Sequence, residues 1–164
     1  MPCWLEFDRV TMPLVKELHR VWERKRAGRV LPRRSDFDPA DLKRVLANLM
    51  IVEIEHAPFR LRYRLVGTTV ARVSAFDFTG RYLDEILRPD LPDDWQGYYR
   101  LAYERRCPVY GAINSPTRDG DFFVYEFGIF PLSLDGEAVG QFLSLEDYGG
   151  REPYSDQLDP GSRL

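Results

Sequence analysis

The chain has 164 residues, 44% of them hydrophobic, and a formal net charge of −3. That length suits one globular domain with a modest core and leaves no room for a second, catalytic domain, and the mild acidity excludes a general polyanion binder. Cys3 and Cys107 form no CxxC pair, so neither a disulfide framework nor a zinc site is expected and a reducing cytoplasm is the simplest compartment; no apolar run reaches the ~18 residues of a membrane span, and the first residues lack the charged and apolar regions of a signal peptide.

Residues 1–30 read as an N-terminal segment. Trp4, Leu5, Phe7 and Val10 keep no period, and Pro13 then opens an amphipathic helix that runs toward Gly28. Its apolar stripe is Leu14, Leu18, Val21 and Trp22, with Val15 on the flank; Lys16, Arg20 and Arg24 line the other side. Burial stabilises by roughly 1.5–3 kcal/mol per large apolar side chain, so the stripe must pack on the domain or on a second copy. From Lys16 to Arg34 eight basic residues face only Glu17 and Glu23, a local balance of +6 that leaves −9 for the rest. The basic face is expected to be solvated. Contact with nucleic acid, anionic lipid or an acidic partner is the sharper reading, and sequence-specific DNA binding fits least, since no helix-turn-helix is evident.

Residues 31–148 read as the domain proper. Asp38, Pro39 and Asp41 form a helix start, and a short helix gives way to a strand near Asn48. Met50, Val52 and Ile54 alternate with Ile51, Glu53 and Glu55; after His56-Ala57-Pro58, Leu61, Tyr63 and Leu65 alternate with Arg60, Arg62 and Arg64. Antiparallel counting sets Glu55 opposite Arg60, Glu53 opposite Arg62, and Met50, Val52 and Ile54 opposite Leu65, Tyr63 and Leu61. A slip of one residue would oppose apolar to charged, which fixes the register.

Short helices over 67–73 and 80–87 follow, and the link 88–92 leads to a longer helix, Asp93 to Arg106, capped by Asp93-Asp94 and stopped by Pro108. It sets Trp95, Tyr98, Tyr99 and Ala102 on one face. Three strands close the domain, Val109–Asn114, Phe122–Leu132 and Ala138–Tyr148. Phe122–Leu132 is apolar on both faces: Phe123, Tyr125, Phe127 and Ile129 on one, Phe122, Val124, Phe130 and Leu132 on the other. A strand covered on both sides reads this way, with the domain's helices over one face and the N-terminal stripe over the other. Residues 149–164, rich in Gly, Pro and charge, are expected to be disordered.

This order of strands and helices, with a long helix before the last three strands, resembles the PAS fold. Leu31–Glu55, with Leu-Pro-Arg-Arg-Ser-Asp-Phe-Asp-Pro leading into Leu46-Ala47-Asn48-Leu49-Met50, is similar to a single-domain PAS family common in alphaproteobacteria, as are Tyr63–Thr68 and Phe78–Asp84. Ala47 departs from the proline expected before Asn48. The resemblance implies an α+β fold: a five-stranded antiparallel sheet with helices on one face. It also implies a sensor or signalling module that binds a small ligand or a partner protein.

Leu61, Tyr63, Trp95, Tyr98, Tyr99, Phe127 and Ile129 are the candidate ligand-pocket wall, with plain core as the simpler reading. Leu14, Leu18, Val21, Trp22, Phe122, Val124 and Phe130 are the candidate interface of a homodimer. Haem is not supported, because the long helix has no histidine and His19 and His56 read as solvated; flavin is not, because the short helices lack an Asn-Cys-Arg-like motif. Cys107 reads as a small buried residue. No catalytic residue is nominated and no catalytic motif is present. Two alternatives stay open: a small cone-shaped enzyme of ketosteroid-isomerase type, to be recognised by a buried carboxylate of raised pKa in a cavity, and a structural interaction module with a filled core.

Overall fold

A computed structural model describes residues 3–87, 93–116 and 121–151. Ten elements follow in chain order: β1 (Cys3–Trp4), α1 (Pro13–Arg26), β2 (Leu49–Glu55), β3 (Arg60–Val66), α2 (Thr68–Val73), α3 (Leu83–Ile86), α4 (Trp95–Arg105), β4 (Val109–Pro116), β5 (Phe122–Ser133) and β6 (Val139–Asp147). The strands form one antiparallel sheet in the order β1-β4-β5-β6-β2-β3. The sheet has six strands, not the expected five. Cys3 and Trp4 add a two-residue strand to the edge of β4, opposite Gly111 and Tyr110. The expected short helix after Asp38 is a pair of 3-10 turns, Pro39–Leu42 and Leu46–Asn48. The link 88–92, the loop 117–120 and the tail beyond Arg151 lie outside the described residues.

The first hairpin keeps most of its expected register: Glu55 opposes Arg60, Ile54 Leu61, Glu53 Arg62 and Val52 Tyr63. Beyond that point the pairing shifts. Ile51 opposes Leu65 and Met50 opposes Val66, so Arg64 is an extra residue bulged out of β3, and Met50 does not meet Leu65 as expected. The bulge swings Arg64 onto Glu53 (3.2 Å), while Arg60 turns away from Glu55 to pair with Asp84 (2.7 Å).

The two sheet faces are covered by different helices. On the inner face α4 lays Tyr98 and Trp95 against Phe127 of β5, and Tyr99 against Phe142 of β6. On the outer face α1 packs across β5 and β6. It buries Val15, Leu18, Val21 and Trp22, and the Trp22 indole donates to the Pro131 carbonyl (2.9 Å). The N-terminal stripe therefore folds back on its own chain. Its centre is rotated by one residue from expectation: Val15 is fully buried and Leu14 only half-buried. Gly128 on β5 explains the rotation, since a Cβ there would come within 3.2 Å of Val15 Cγ1 and 2.6 Å of the Phe130 ring. The helix settles where the strand has no side chain.

Two carboxylates hold the start of α1. Met12, the residue before the helix, offers no side-chain cap, and Pro13 has no N–H. Glu126 and Asp147, opposite each other on β5 and β6, do the capping from outside. Glu126 accepts from the Thr11 and Met12 amides (3.0 and 2.8 Å) and from the Thr11 hydroxyl (2.5 Å); Asp147 accepts from the Leu14 amide (2.8 Å). Both are buried, and the positive end of the helix dipole faces them.

Candidate functional site

The inner face carries one charged group that the apolar pattern does not need. Along β6 the side chains of Phe142, Ser144 and Glu146 point inward, while Leu143, Leu145 and Asp147 point outward under α1. Glu146 lies opposite Phe127 and is half-buried. The Tyr148 hydroxyl donates to its carboxylate, and the Tyr148 ring leans on Tyr125 (5.2 Å between centroids). Burial pushes the Glu146 carboxyl up to about 7, against the smaller lowering effect of the Tyr148 bond. The backbone of this residue is pinned as well: Asn48, at the end of the second 3-10 turn, donates its side-chain amide to the Glu146 carbonyl (2.8 Å).

Hydroxyl groups surround the carboxylate. Tyr63 of β3 and Tyr99 of α4 are fully within the core and their hydroxyls meet; burial raises both phenols, and the Glu146 charge raises them further. Tyr99 also lies beside Ser144, yet the Ser144 hydroxyl, wholly buried, completes no hydrogen bond of good geometry. An unpaired buried hydroxyl costs about 1–3 kcal/mol.

The seven expected pocket residues all face this layer, but they divide. Trp95, Tyr98 and Phe127 interlock, with Trp95–Phe127 centroids 4.8 Å apart and Tyr98–Phe127 rings stacked at 5.3 Å; they fill one another's space, and burial pushes the Tyr98 phenol up to about 12. Leu61 and Ile129 are buried core residues. Tyr63 and Tyr99 alone of the seven belong to the polar cluster. Sequence reasoning missed Glu146, Ser144 and Tyr148, although their in-facing parity with Phe142 was available.

The seven interface candidates divide too. Leu18, Val21, Trp22 and Phe130 are buried in this chain's own core, which corrects their reading as surface for a second copy. Leu14 is half-buried, while Phe122 and Val124 stay exposed, at 62% and 50%. They share the outer face with Phe130 but lie beyond the reach of α1.

The histidines are not simply solvated. His19 on α1 is half-buried, its ring stacked on Phe7 at 3.6 Å and its Nδ1 2.6 Å from the Tyr110 hydroxyl; burial lowers its pKa. His56 is exposed but meets the Phe59 and Tyr103 rings. Cys107 is half-buried rather than buried, and burial raises its thiol. Asp94 caps α4, accepting from the Gly97 amide at 2.9 Å, as expected of the Asp93-Asp94 pair. Among the described residues no group of His, Cys, Asp and Glu is placed to hold a metal ion, and no helix is long and apolar enough to cross a membrane. A groove of about 290 Å³ beside β3 is lined by Glu53, Arg62, Tyr63, Arg64, Thr79 and Gly80; Tyr63 borders it, and Glu146 does not line it.

No curated protein matches the chain. Among solved structures it is similar to a Rhodobacter sphaeroides LOV protein (14% identity, covering 84% of this chain and 68% of that one, TM-score 0.48). It is also similar to the Aureochrome1 LOV blue-light photoreceptor in its light state (12%, 72% and 92%, TM-score 0.47) and to an RNA-binding light-oxygen-voltage receptor (17%, 71% and 35%, TM-score 0.48). The chain thus spans about a third of the RNA-binding receptor. The short-helix segment 67–87 contains no cysteine; Cys3 lies on β1 and Cys107 follows α4, so the residues present do not fit flavin adduct chemistry. A family model for the PAS domain matches residues 10–145, which takes in α1 and the sheet from β2 as far as Leu145 of β6. The chain belongs to the PAS domain family, and with it to the sensory and regulatory modules.

Proposed function

We propose that this protein is a regulatory sensor, not an enzyme, in which β6 carries a change of state from the inner polar cluster to α1. The observation that supports the reading is the adjacency of two carboxylates with opposite duties. Glu146 faces the inner cluster; the next residue, Asp147, faces outward and caps the Leu14 amide. A ligand or a proton that moves the Glu146 segment by a fraction of an ångström must also move Asp147, and the α1 cap is sensitive to such a shift because a charge-assisted hydrogen bond weakens steeply with misalignment. The output is then a change in how firmly α1 is seated, with its exposed side and the Phe122 and Val124 patch available to a partner protein or a second copy.

Amide hydrogen exchange tests this directly. Glu146→Gln is expected to change protection of the Leu14 amide while leaving the centre of β5 unaltered. Unchanged protection at Leu14 would remove the relay.

One observation favours a second reading: the Glu146 carboxyl, pushed up by burial to about 7, is one of the two features the small-enzyme alternative requires, the other being a cavity that holds it. Turnover of a β,γ-unsaturated ketosteroid by the protein, abolished by Glu146→Gln, would establish it in place of the sensor.

A further inference from the structure

The side of α1 turned away from the sheet is basic. Lys16, Arg20 and Arg24 follow one another at intervals of four residues, about 6 Å apart along the axis and on one side of the helix. Arg20 and Arg24 are exposed and Lys16 is half-buried. A second row lies beside them. Asp41 meets Lys25 at 2.8 Å and Arg24 at 3.7 Å; further on, Asn48 reaches the Glu146 carbonyl, next to the Asp147 that caps the first turn of α1. The chain from Asp41 to Asn48 therefore runs back along the helix, from its last turn toward its first. Leu42 and Val45 of this stretch are buried, while Lys43, Arg44 and Leu46 are exposed, Leu46 at 48%.

With Lys25, six cations share this surface with two carboxylates, Glu17 and Asp41, on a chain whose net charge is −3. Lys25 and Arg26 are held by Asp41 and Glu23, both at 2.8 Å. Among the described residues, Lys16, Arg20, Lys43 and Arg44 have no carboxylate within ion-pair distance. Like charges one turn apart repel, a small destabilisation of the helix. A partner that brings negative charge turns this repulsion into attraction.

Three features select the kind of partner. The four-residue repeat matches carboxylates one turn apart on a second helix, which can lie along α1 with each pair in step. Glu17 and Asp41 stand among the cations, so a duplex or an anionic bilayer would set phosphates against both, whereas a polypeptide can place neutral or basic residues there. Leu46 offers an apolar contact that a sugar–phosphate backbone leaves unused and a peptide side chain fills. We infer that the outward face of α1, with Lys43, Arg44 and Leu46 beside it, is the docking surface for an acidic helical segment of a partner protein, whose carboxylates, four residues apart, pair with Lys16, Arg20 and Arg24. As the sensor's output surface it rests on the sensor reading; as a docking surface it stands on its own charges.

Four probes test it on the full-length protein by calorimetry: an alanine-based helical peptide with glutamate at every fourth position, an isomer with the same glutamates gathered at one end, a DNA duplex and phosphatidylglycerol vesicles. The spaced peptide is expected to bind at least about tenfold more tightly than any other probe, and to lose at least about tenfold between about 50 and 300 mM salt. Arg20→Glu combined with Arg24→Glu should weaken it at least about tenfold with the melting temperature unchanged, both side chains being exposed. The wild-type ranking of the probes decides even if that variant folds poorly. Equal or tighter binding of the duplex or the vesicles overturns the partner class, and equal binding of the gathered isomer overturns the helical pairing. No binding of the spaced peptide at low salt, or binding that the double variant leaves unchanged, overturns the surface. None of these outcomes involves Glu146, so the relay stands or falls on Leu14 exchange alone.

Discussion

The two faces of the sheet treat acidic side chains in opposite ways. Outside, Glu126 and Asp147 stand opposite each other on neighbouring strands, yet between them they accept from Thr11, Met12, Leu14 and Gly149. Inside, among the described residues, Glu146 accepts from the Tyr148 hydroxyl and lies near Ser144, whose hydroxyl completes no well-aligned hydrogen bond. Close-packed side chains and satisfied donors make the outer face a structural joint. An incompletely satisfied polar cluster raises the free energy of the folded state, and native proteins retain such clusters where they are used. What separates these three carboxylates is the donors that reach them: several amides and a hydroxyl on the outer pair, the Tyr148 hydroxyl on Glu146.

That contrast can be broken most forcefully at the joint. Trp22→Ala removes a fully buried indole and its bond to the Pro131 carbonyl, and should lower stability by about 3–5 kcal/mol in chemical denaturation. A loss below about 1 kcal/mol would mean that α1 is only loosely seated. Glu126→Ala leaves the Thr11 and Met12 donors without their acceptor and should cost roughly 1–3 kcal/mol, with faster exchange confined to the start of α1.

The inner carboxylate gives a smaller effect with a distinctive pH signature. Its folded pKa, about 7, lies above the ordinary carboxylate value, so the folded state binds the extra proton between these limits. Stability from this group is therefore full below about pH 4.5 and falls as pH rises, levelling above about pH 7. With partial solvent access discounted, the loss is about 2 kcal/mol. Glu146→Gln should flatten that slope, and an unaltered pH profile would show that Glu146 is ordinary. Smallest of all, Phe122→Ser on the exposed patch should shift stability by less than about 0.5 kcal/mol. Light scattering then tells whether it changes self-association, which a partner role for this patch requires.

Much of the fold was legible because its signals were redundant. In the first hairpin the charged and apolar alternations demand the same register, and α4 is marked at once by Asp94, its aromatic face and Pro108. The bulge at Arg64 was hidden because the alternation continues unbroken through it; it answers to the ion pair with Glu53 and to neighbours distant in sequence. The rotation of α1 was hidden because Leu14 and Val15 are equally apolar, and Gly128, more than a hundred residues away, decides between them. A two-residue strand such as Cys3–Trp4 has no period to read. The candidate site was half legible: an aromatic wall can be counted along a helix, whereas Glu146, next to Asp147 at a strand end, looks like a solvated acidic pair until both faces of the sheet are known to be covered.

Between α2 and α3 the chain runs back along the outer edge of β3, Tyr82 bridging to Arg62. β3 is the last strand of the sheet, and a bare terminal strand invites another chain to extend the ladder. Here the Gly80–Arg81 backbone occupies those hydrogen-bonding positions, with the Tyr63 amide donating to the Arg81 carbonyl and the Gly80 amide to the Tyr63 carbonyl. Arg60, stacked over the Tyr82 ring at 3.6 Å, fastens it. On the opposite rim the two-residue β1 covers only Tyr110 and Gly111 of β4. Polymerisation by strand addition, the hazard of every open sheet, is therefore hindered along β3, where the neighbouring segment already takes the hydrogen bonds of Tyr63.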